Sequence, residues 1–121
     1  MPEDKLFDAE YKFMSILWEH EPINSTVLCR LCQEQLGWKK STTYSMIKKL
    51  ALRGVLENRE AMVASLLKKE AAQRQESTAV LEKAFGNSLP AFVAAFLKDN
   101  KLSSAEREEL ERLIREAKED A

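Results

Sequence analysis

Gly37-Trp38-Lys39-Lys40-Ser41-Thr42-Thr43-Tyr44-Ser45-Met46-Ile47-Lys48-Lys49-Leu50-Ala51-Leu52-Arg53-Gly54 is the stretch on which the fold turns. It carries the start and stop signals of one helix. The hydroxyls of Ser41, Thr42 and Thr43 offer N-caps for the unpaired amides of a first turn. Gly54 stands where a helix end needs a residue tolerant of positive φ. Between them Thr43, Ile47, Leu50 and Ala51 (or Gly54) recur at helical spacing and form one stripe for burial. The other face carries Ser41, Thr42, Ser45, Lys48 and Lys49, with Tyr44 at its margin. A helix that opens in small hydroxyls and closes in lysines suits the major groove of a nucleic-acid duplex. There hydroxyls reach base edges and lysines meet phosphates. An ordinary surface helix with a basic outer face fits the same residues equally well.

The distribution of charge bears on that choice. The 121 residues carry a formal net charge of −1, which does not by itself suggest a polyanion partner. Locally the picture differs: residues 1–36 hold a net −4, residues 37–59 a net +5, and residues 76–121 a net −3. Local potential, more than total charge, steers a polyanion to a surface. Few glycines and prolines and a high charged content point to an α-rich chain. No apolar run approaches a membrane span, and the acidic start Met1-Pro2-Glu3-Asp4 is not a signal peptide. Two cysteines make no disulfide framework, so a cytoplasmic location is the default expectation.

Upstream, Asp8 to His20 reads as a first helix, with Asp8 as N-cap and Tyr11, Met14, Leu17 and Trp18 on its apolar side. Glu21-Pro22 ends it. Asn24-Ser25 then caps a second helix, Thr26 to Leu36, with Val27, Leu28, Leu31, Cys32 and Leu36 inward and Gly37 closing it. Two compact helices leading tightly into a third make a helix-turn-helix. Cys29 and Cys32 form a Cys-x-x-Cys pair within the second helix. With no further cysteine pair and one histidine, two thiols do not close a zinc site. Cys32 reads as a small core residue and Cys29 as one near the surface, and no metal or cofactor is expected.

Downstream, Val55–Arg59 and Met62–Leu67 are two short apolar-rich runs around Glu60-Ala61. They pair as a β-hairpin, a wing beside the reading helix, although no glycine marks the turn and Met62 to Glu70 also fits a helix. From Lys69 onward the pattern is helical. Polar residues Glu70–Ser77 lead into Ala79–Phe85, ended by Gly86-Asn87. Ser88 caps a helix with Pro90 in its first turn. Ser103-Ser104-Ala105-Glu106 is a capping box opening a last helix whose face is Leu110, Leu113, Ile114 and Ala117.

The expected architecture is therefore mainly α with a small β-hairpin: a winged helix-turn-helix domain at 1–68 and a helical arm at 69–121. The arm's apolar residues (Leu81, Phe85, Leu89, Phe92, Val93, Phe96, Leu97, Leu110, Leu113 and Ile114) have little chain left to cover them, so two copies interlock as a homodimer. An arm folded back on its own domain is the alternative. For DNA, Lys39, Lys40, Lys48, Lys49, Arg53 and Arg59 are the phosphate-neutralising candidates. Ser41, Thr42, Tyr44 and Ser45 are the base-reading ones, a set without the Arg, Asn or Gln of bidentate recognition. Two other classes stay open: a winged-helix module whose reading helix faces another protein, and a thiol-responsive regulator using Cys29 and Cys32. Catalysis is not expected, since nothing resembles a nucleophile, a phosphate loop or a carboxylate cluster in a pocket.

Laid end to end, these segments resemble the penicillinase-repressor family of bacterial winged-helix regulators. The similarity runs from about Asp8 to Ala117. It is carried by Glu10–Trp18, by Pro22-Ile23-Asn24-Ser25, by Trp38 with Thr42–Leu50, and by Gly54-Val55-Leu56. In the arm it is carried by Phe85-Gly86-Asn87-Ser88, Phe92–Phe96 and Leu102-Ser103. The resemblance implies a homodimeric transcriptional repressor whose winged helix reads half of a palindromic operator and whose C-terminal helices dimerise. In antibiotic-linked members it also implies a membrane sensor that triggers proteolysis within the arm. The chain departs from the family at three places. Met62-Val63 stands where the wing tip usually has Gly-Arg, and Ala95-Phe96 where the cleaved pair is Asn-Phe. The C-terminus lacks the cysteine repeats of copper-responsive members.

Overall fold

Three helices and a three-stranded sheet enclose one core in the N-terminal part of the chain. The structure, a computed structural model, describes residues 5–119; the acidic opening Met1–Asp4 lies outside them. In order the elements are α1 (Asp8–His20), β1 (Ile23–Asn24), α2 (Ser25–Leu36), α3 (Lys40–Leu52), β2 (Leu56–Arg59), β3 (Met62–Ser65), α4 (Lys69–Phe85), α5 (Leu89–Asp99) and α6 (Ser104–Glu116). This is the expected winged helix followed by a helical region. The chain divides into two compact units, the first ending at Thr78 and the second beginning at Ala79, within α4.

The core of the first unit draws on four helices and the sheet. α1 gives Phe13, Met14, Ile16 and Leu17, α2 gives Leu28 and Cys32, and α3 gives Ile47 and Leu50. Ile23, Val55, Leu56 and Val63 come from the sheet and its approach, and Ala72 from the first turns of α4. Tyr11 and Trp18, expected inside, are only half-buried and meet edge to face with ring centroids 5.6 Å apart. Cys29, expected near the surface, is 6% exposed, because its turn of α2 faces α3. Ala51 is exposed; the buried stripe of α3 is Thr43, Ile47 and Leu50.

Helix ends follow the sequence closely in some places and not in others. Asn24 caps α2, its side chain accepting from the Thr26 amide at 2.8 Å, and Gly37 closes that helix with φ 72°. α3 begins one residue before the hydroxyls expected to cap it. Its N-cap is Lys39, which makes no side-chain cap bond, so Ser41 and Thr42 lie in the first turn with exposed side chains. α1 likewise takes Phe7 as N-cap rather than Asp8, and the Glu10 carboxylate accepts from the Phe7 amide at 3.0 Å.

The sheet runs β1-β3-β2, antiparallel throughout. The hairpin is therefore present, and β1, two residues paired to Met62 and Val63, is a strand the sequence reading lacked. Side chains of β3 alternate as a half-buried strand requires: Val63 and Ser65 are buried and Met62 is exposed, whereas in β2 only Leu56 is buried. The turn is Glu60-Ala61, so the tip is not at Met62-Val63 as the family comparison suggested. Met62 lies opposite Arg59 in the ladder and Val63 is 0% exposed. Both turn residues are left-handed (Glu60 φ 50°, Ala61 φ 71°), the geometry of a two-residue hairpin turn that favours Asn-Gly.

In the second unit the caps match the sequence. Ser88 accepts from the Ala91 amide at 3.1 Å, and Ser103 and Glu106 form the reciprocal capping box, at 3.2 and 3.1 Å. Asn87 (φ 67°) bonds its amide to the Leu81 carbonyl at 2.9 Å, which turns the chain out of α4. Ala117 is the C-cap of α6, not part of its face. Phe85 and Phe92 meet edge to face with centroids 5.3 Å apart. No residue of α5 or α6 is buried.

Candidate nucleic-acid interface

The outward face of α3 is set by what its inward face must satisfy. With Thr43, Ile47 and Leu50 in the core, helical geometry turns Ser41, Thr42, Tyr44, Ser45 and Lys48 outward, and all five are exposed. Lys39 and Lys40 are exposed at the helix start. Lys40 Nζ lies 6.0 Å from the centroid of the Tyr44 ring, the outer limit for attraction between a cation and an aromatic face. The approach to α3 is fixed by Trp38, half-buried and stacked on Phe13 with centroids 6.1 Å apart and planes 4° from parallel.

The far end of α3 is anchored by a residue that the sequence reading did not single out. Glu10 on α1 is 1% exposed. Its Oε2 lies 2.9 Å from Lys49 Nζ and 2.9 Å from Arg53 Nη1, and its Oε1 takes the Phe7 amide. Burial pushes this carboxyl's pKa up, but the Phe7 amide, Lys49 and Arg53 outweigh it and hold the group below its ordinary value. Arg53 also donates from Nη2 to the Lys5 carbonyl at 2.9 Å. Of the six cationic candidates, Lys49 and Arg53 thus tie α3 to α1, and Arg59 lies 3.4 Å from Glu57. Lys39, Lys40 and Lys48 point outward from the helix and its approach. The signal for Glu10 was legible: it precedes Phe13, Met14 and Leu17 by three, four and seven residues, a carboxylate on the apolar face that needs a cationic partner.

The wing is positioned by a second carboxylate. Glu21 accepts from the Ser65 amide at 2.6 Å and from its hydroxyl at 2.9 Å, and Lys68 Nζ donates to the Ser65 carbonyl at 2.8 Å. Trp18 Nε1 donates to the Leu67 carbonyl at 3.0 Å. The C-terminal turn of α1 therefore clamps the strand that leads out of the sheet.

Cys29 and Cys32 lie under the start of α3. Burial raises both thiols; a Tyr44 hydrogen bond and the Lys40 charge oppose it at Cys29, Thr43 at Cys32, where the Cys29 charge adds to the rise. Thiolate, the reactive form, is scarce in such surroundings. No group of three or more His, Cys, Asp or Glu side chains among the described residues could hold a metal ion. Among them, no single helix is long and apolar enough to cross a membrane.

A helix-turn-helix with a sheet-borne wing and a following helical region defines a winged-helix regulator. The chain matches the family profile described as Penicillinase repressor over residues 6–116 and belongs to that family. It is 25% identical over 118 residues to the penicillinase repressor of Bacillus licheniformis, covering 94% of this chain and 92% of that protein. Family membership makes it a transcriptional repressor.

Proposed function

We propose that the chain is a homodimeric repressor of the bacterial cytoplasm whose α3 enters the major groove at each half of a palindromic operator. What carries this reading is the outward face of α3 and its approach, where Lys39, Lys40 and Lys48 surround Ser41, Thr42, Tyr44 and Ser45. Lysines at the two ends meet phosphates, and the hydroxyls between them reach base edges. Without a bidentate side chain, each base contact is modest, and two half-sites about one helical turn apart multiply the discrimination. The residues from Lys69 on supply the dimer. Leu89, Phe92, Val93, Phe96 and Leu97 leave 37–55% of their surface uncovered within one chain, and Leu110, Leu113 and Ile114 of α6 leave 42–72%.

The test is binding of the full chain to duplex DNA from upstream of its own gene, at low and moderate salt. A Lys40→Ala/Lys48→Ala variant and a random duplex serve as controls. Preference for the upstream DNA, weakening with salt and lost in the variant, is the expected result. Equal binding to both duplexes, unchanged in the variant, would count against a DNA-reading helix and for one that faces a protein.

A further inference from the structure

The turn between β2 and β3 holds two of the three non-glycine residues with positive φ among the described residues. Glu60 and Ala61 are consecutive left-handed residues, neither of them glycine, at φ 50° and 71°. Such strain points to a role for what the turn presents. It presents a carboxylate: Glu60 is exposed at the tip.

The tip is also fixed in place. The Ala61 carbonyl accepts from the Ser25 amide, first residue of α2, at 2.7 Å. Met62, directly after the turn, pairs with Arg59 on one side and Asn24 on the other. Behind the tip, Arg59 is 82% exposed, yet its Nε lies 3.4 Å from Glu57 Oε1. The hairpin from Glu57 to Glu60 thus carries two carboxylates and one guanidinium, a net −1. That composition gives the hairpin no net positive charge to offer a phosphate backbone.

We propose that the wing tip is a repulsive element: Glu60, displayed by a turn pinned to the start of α2, lowers the protein's affinity for duplex DNA of any sequence. The inference rests on the DNA reading of α3. A fixed negative charge beside the backbone weakens correct and incorrect sites alike, so discrimination falls to α3 and to dimer geometry. A repulsive element of this kind suppresses binding at the many wrong sites, where no base contacts compensate.

The experiment uses the full chain and a random-sequence duplex, followed by fluorescence anisotropy across a salt series. Glu60→Gln removes the charge, Glu60→Lys reverses it, and Ala61→Gly relaxes the turn while keeping the carboxylate. Affinity for random duplex is expected to rise about two- to fivefold in Glu60→Gln. In Glu60→Lys it rises about tenfold, with a salt slope steeper by about one. Ala61→Gly binds as the wild type does. Glu60 variants that are folded and bind within the wild type's error overturn the wing proposal while leaving the DNA reading in place. A wild type that binds no duplex even at low salt overturns the DNA reading, and the wing proposal with it.

Discussion

Lys49 Nζ lies 2.9 Å from Oε2 of Glu10, a carboxylate 1% exposed. The pair joins the end of the reading helix to the first helix, 39 residues away in sequence. Arg53, one turn on, reaches the same oxygen at 2.9 Å. Replacing the carboxylate with an amide leaves two cations facing a weaker acceptor. Both cations keep access to water, Lys49 more than Arg53, so the cost stays below that of a fully buried broken pair. Glu10→Gln is expected to lose about 1–3 kcal/mol in urea unfolding at neutral pH.

The same carboxyl makes stability depend on pH. Its folded pKa is lowered below the ordinary 4.5. The stabilisation is therefore fully present above the unfolded value and drains away as pH falls through the folded one. Unfolding curves collected below pH 5 should show a smaller acid loss in Glu10→Gln than in the wild type. Equal acid loss in both would mean that other carboxylates govern the acid limb.

Lys48 and Lys49 are neighbours with different duties. Lys48 is exposed and outward, whereas Lys49 keeps 56% of its side chain exposed but aims its charge at Glu10. Lys48→Ala is expected to leave the melting temperature within about a degree, since exposed sites away from special contacts change stability little. It should flatten the salt dependence of DNA binding by about one ion. Lys49→Ala should lower the melting temperature and weaken DNA binding less. A reversed pattern would place the phosphate contact on the Glu10 side of the helix.

This division of labour could not be read from residue types. The helix itself was legible, since Thr43, Ile47 and Leu50 fall on one stripe and Gly54 marks the end. Its six nearby cations looked alike, because a sequence shows charge without partners. The hairpin was legible from Val55 to Leu67 only in outline. Its turn lacks the glycine that would announce it, and β1 at Ile23–Asn24 is too short to show alternation. The hydroxyls at Ser41 and Thr42 resemble caps because they precede the stripe. The helix begins instead at Lys40, with Lys39 as its N-cap.

Ala61 holds φ 71° with its Cβ in a left-handed conformation, which costs an L-residue roughly 1–2 kcal/mol that glycine does not incur. Glycine also frees the unfolded chain, which offsets part of the gain. Ala61→Gly is expected to raise stability by up to about 1 kcal/mol, measured as the urea midpoint at constant slope. A loss instead would show that the alanine methyl contributes to the tip.

Thr43 is 0% exposed, and its hydroxyl makes no hydrogen bond of full geometry. It lies close enough to influence the Cys32 thiol, which is also 0% exposed. A buried hydroxyl without a partner costs about 1–3 kcal/mol relative to a satisfied one. Valine keeps the shape and the β-branch while removing the polar atom. Thr43→Val is therefore expected to be neutral or stabilising by up to about 1 kcal/mol, in thermal or urea unfolding. A loss of stability would mean that Cys32 and Thr43 exchange a hydrogen bond in solution.

The arm poses the largest apolar question. Phe92 and Phe96 stand one turn apart on α5, 37% and 50% exposed, and Leu113 and Ile114 of α6 are 49% and 72% exposed. Fully burying a side chain of this size contributes about 1.5–3 kcal/mol, so the uncovered face is worth a great deal to a second copy of the chain. A charge placed there must be desolvated when the copies meet, and it has no partner. On the homodimer proposal, the wild type is expected to sediment as a dimer and Phe92→Glu/Phe96→Glu as a monomer at the same concentration. Its first unit should keep its core, because none of that core comes from α5 or α6; the near-ultraviolet signal of Trp18 and Trp38 reports this. On the same proposal, affinity for the upstream duplex should fall by far more than the stability does, since a monomer engages one half-site alone. A double variant that remains dimeric would move the interface off the α5 face.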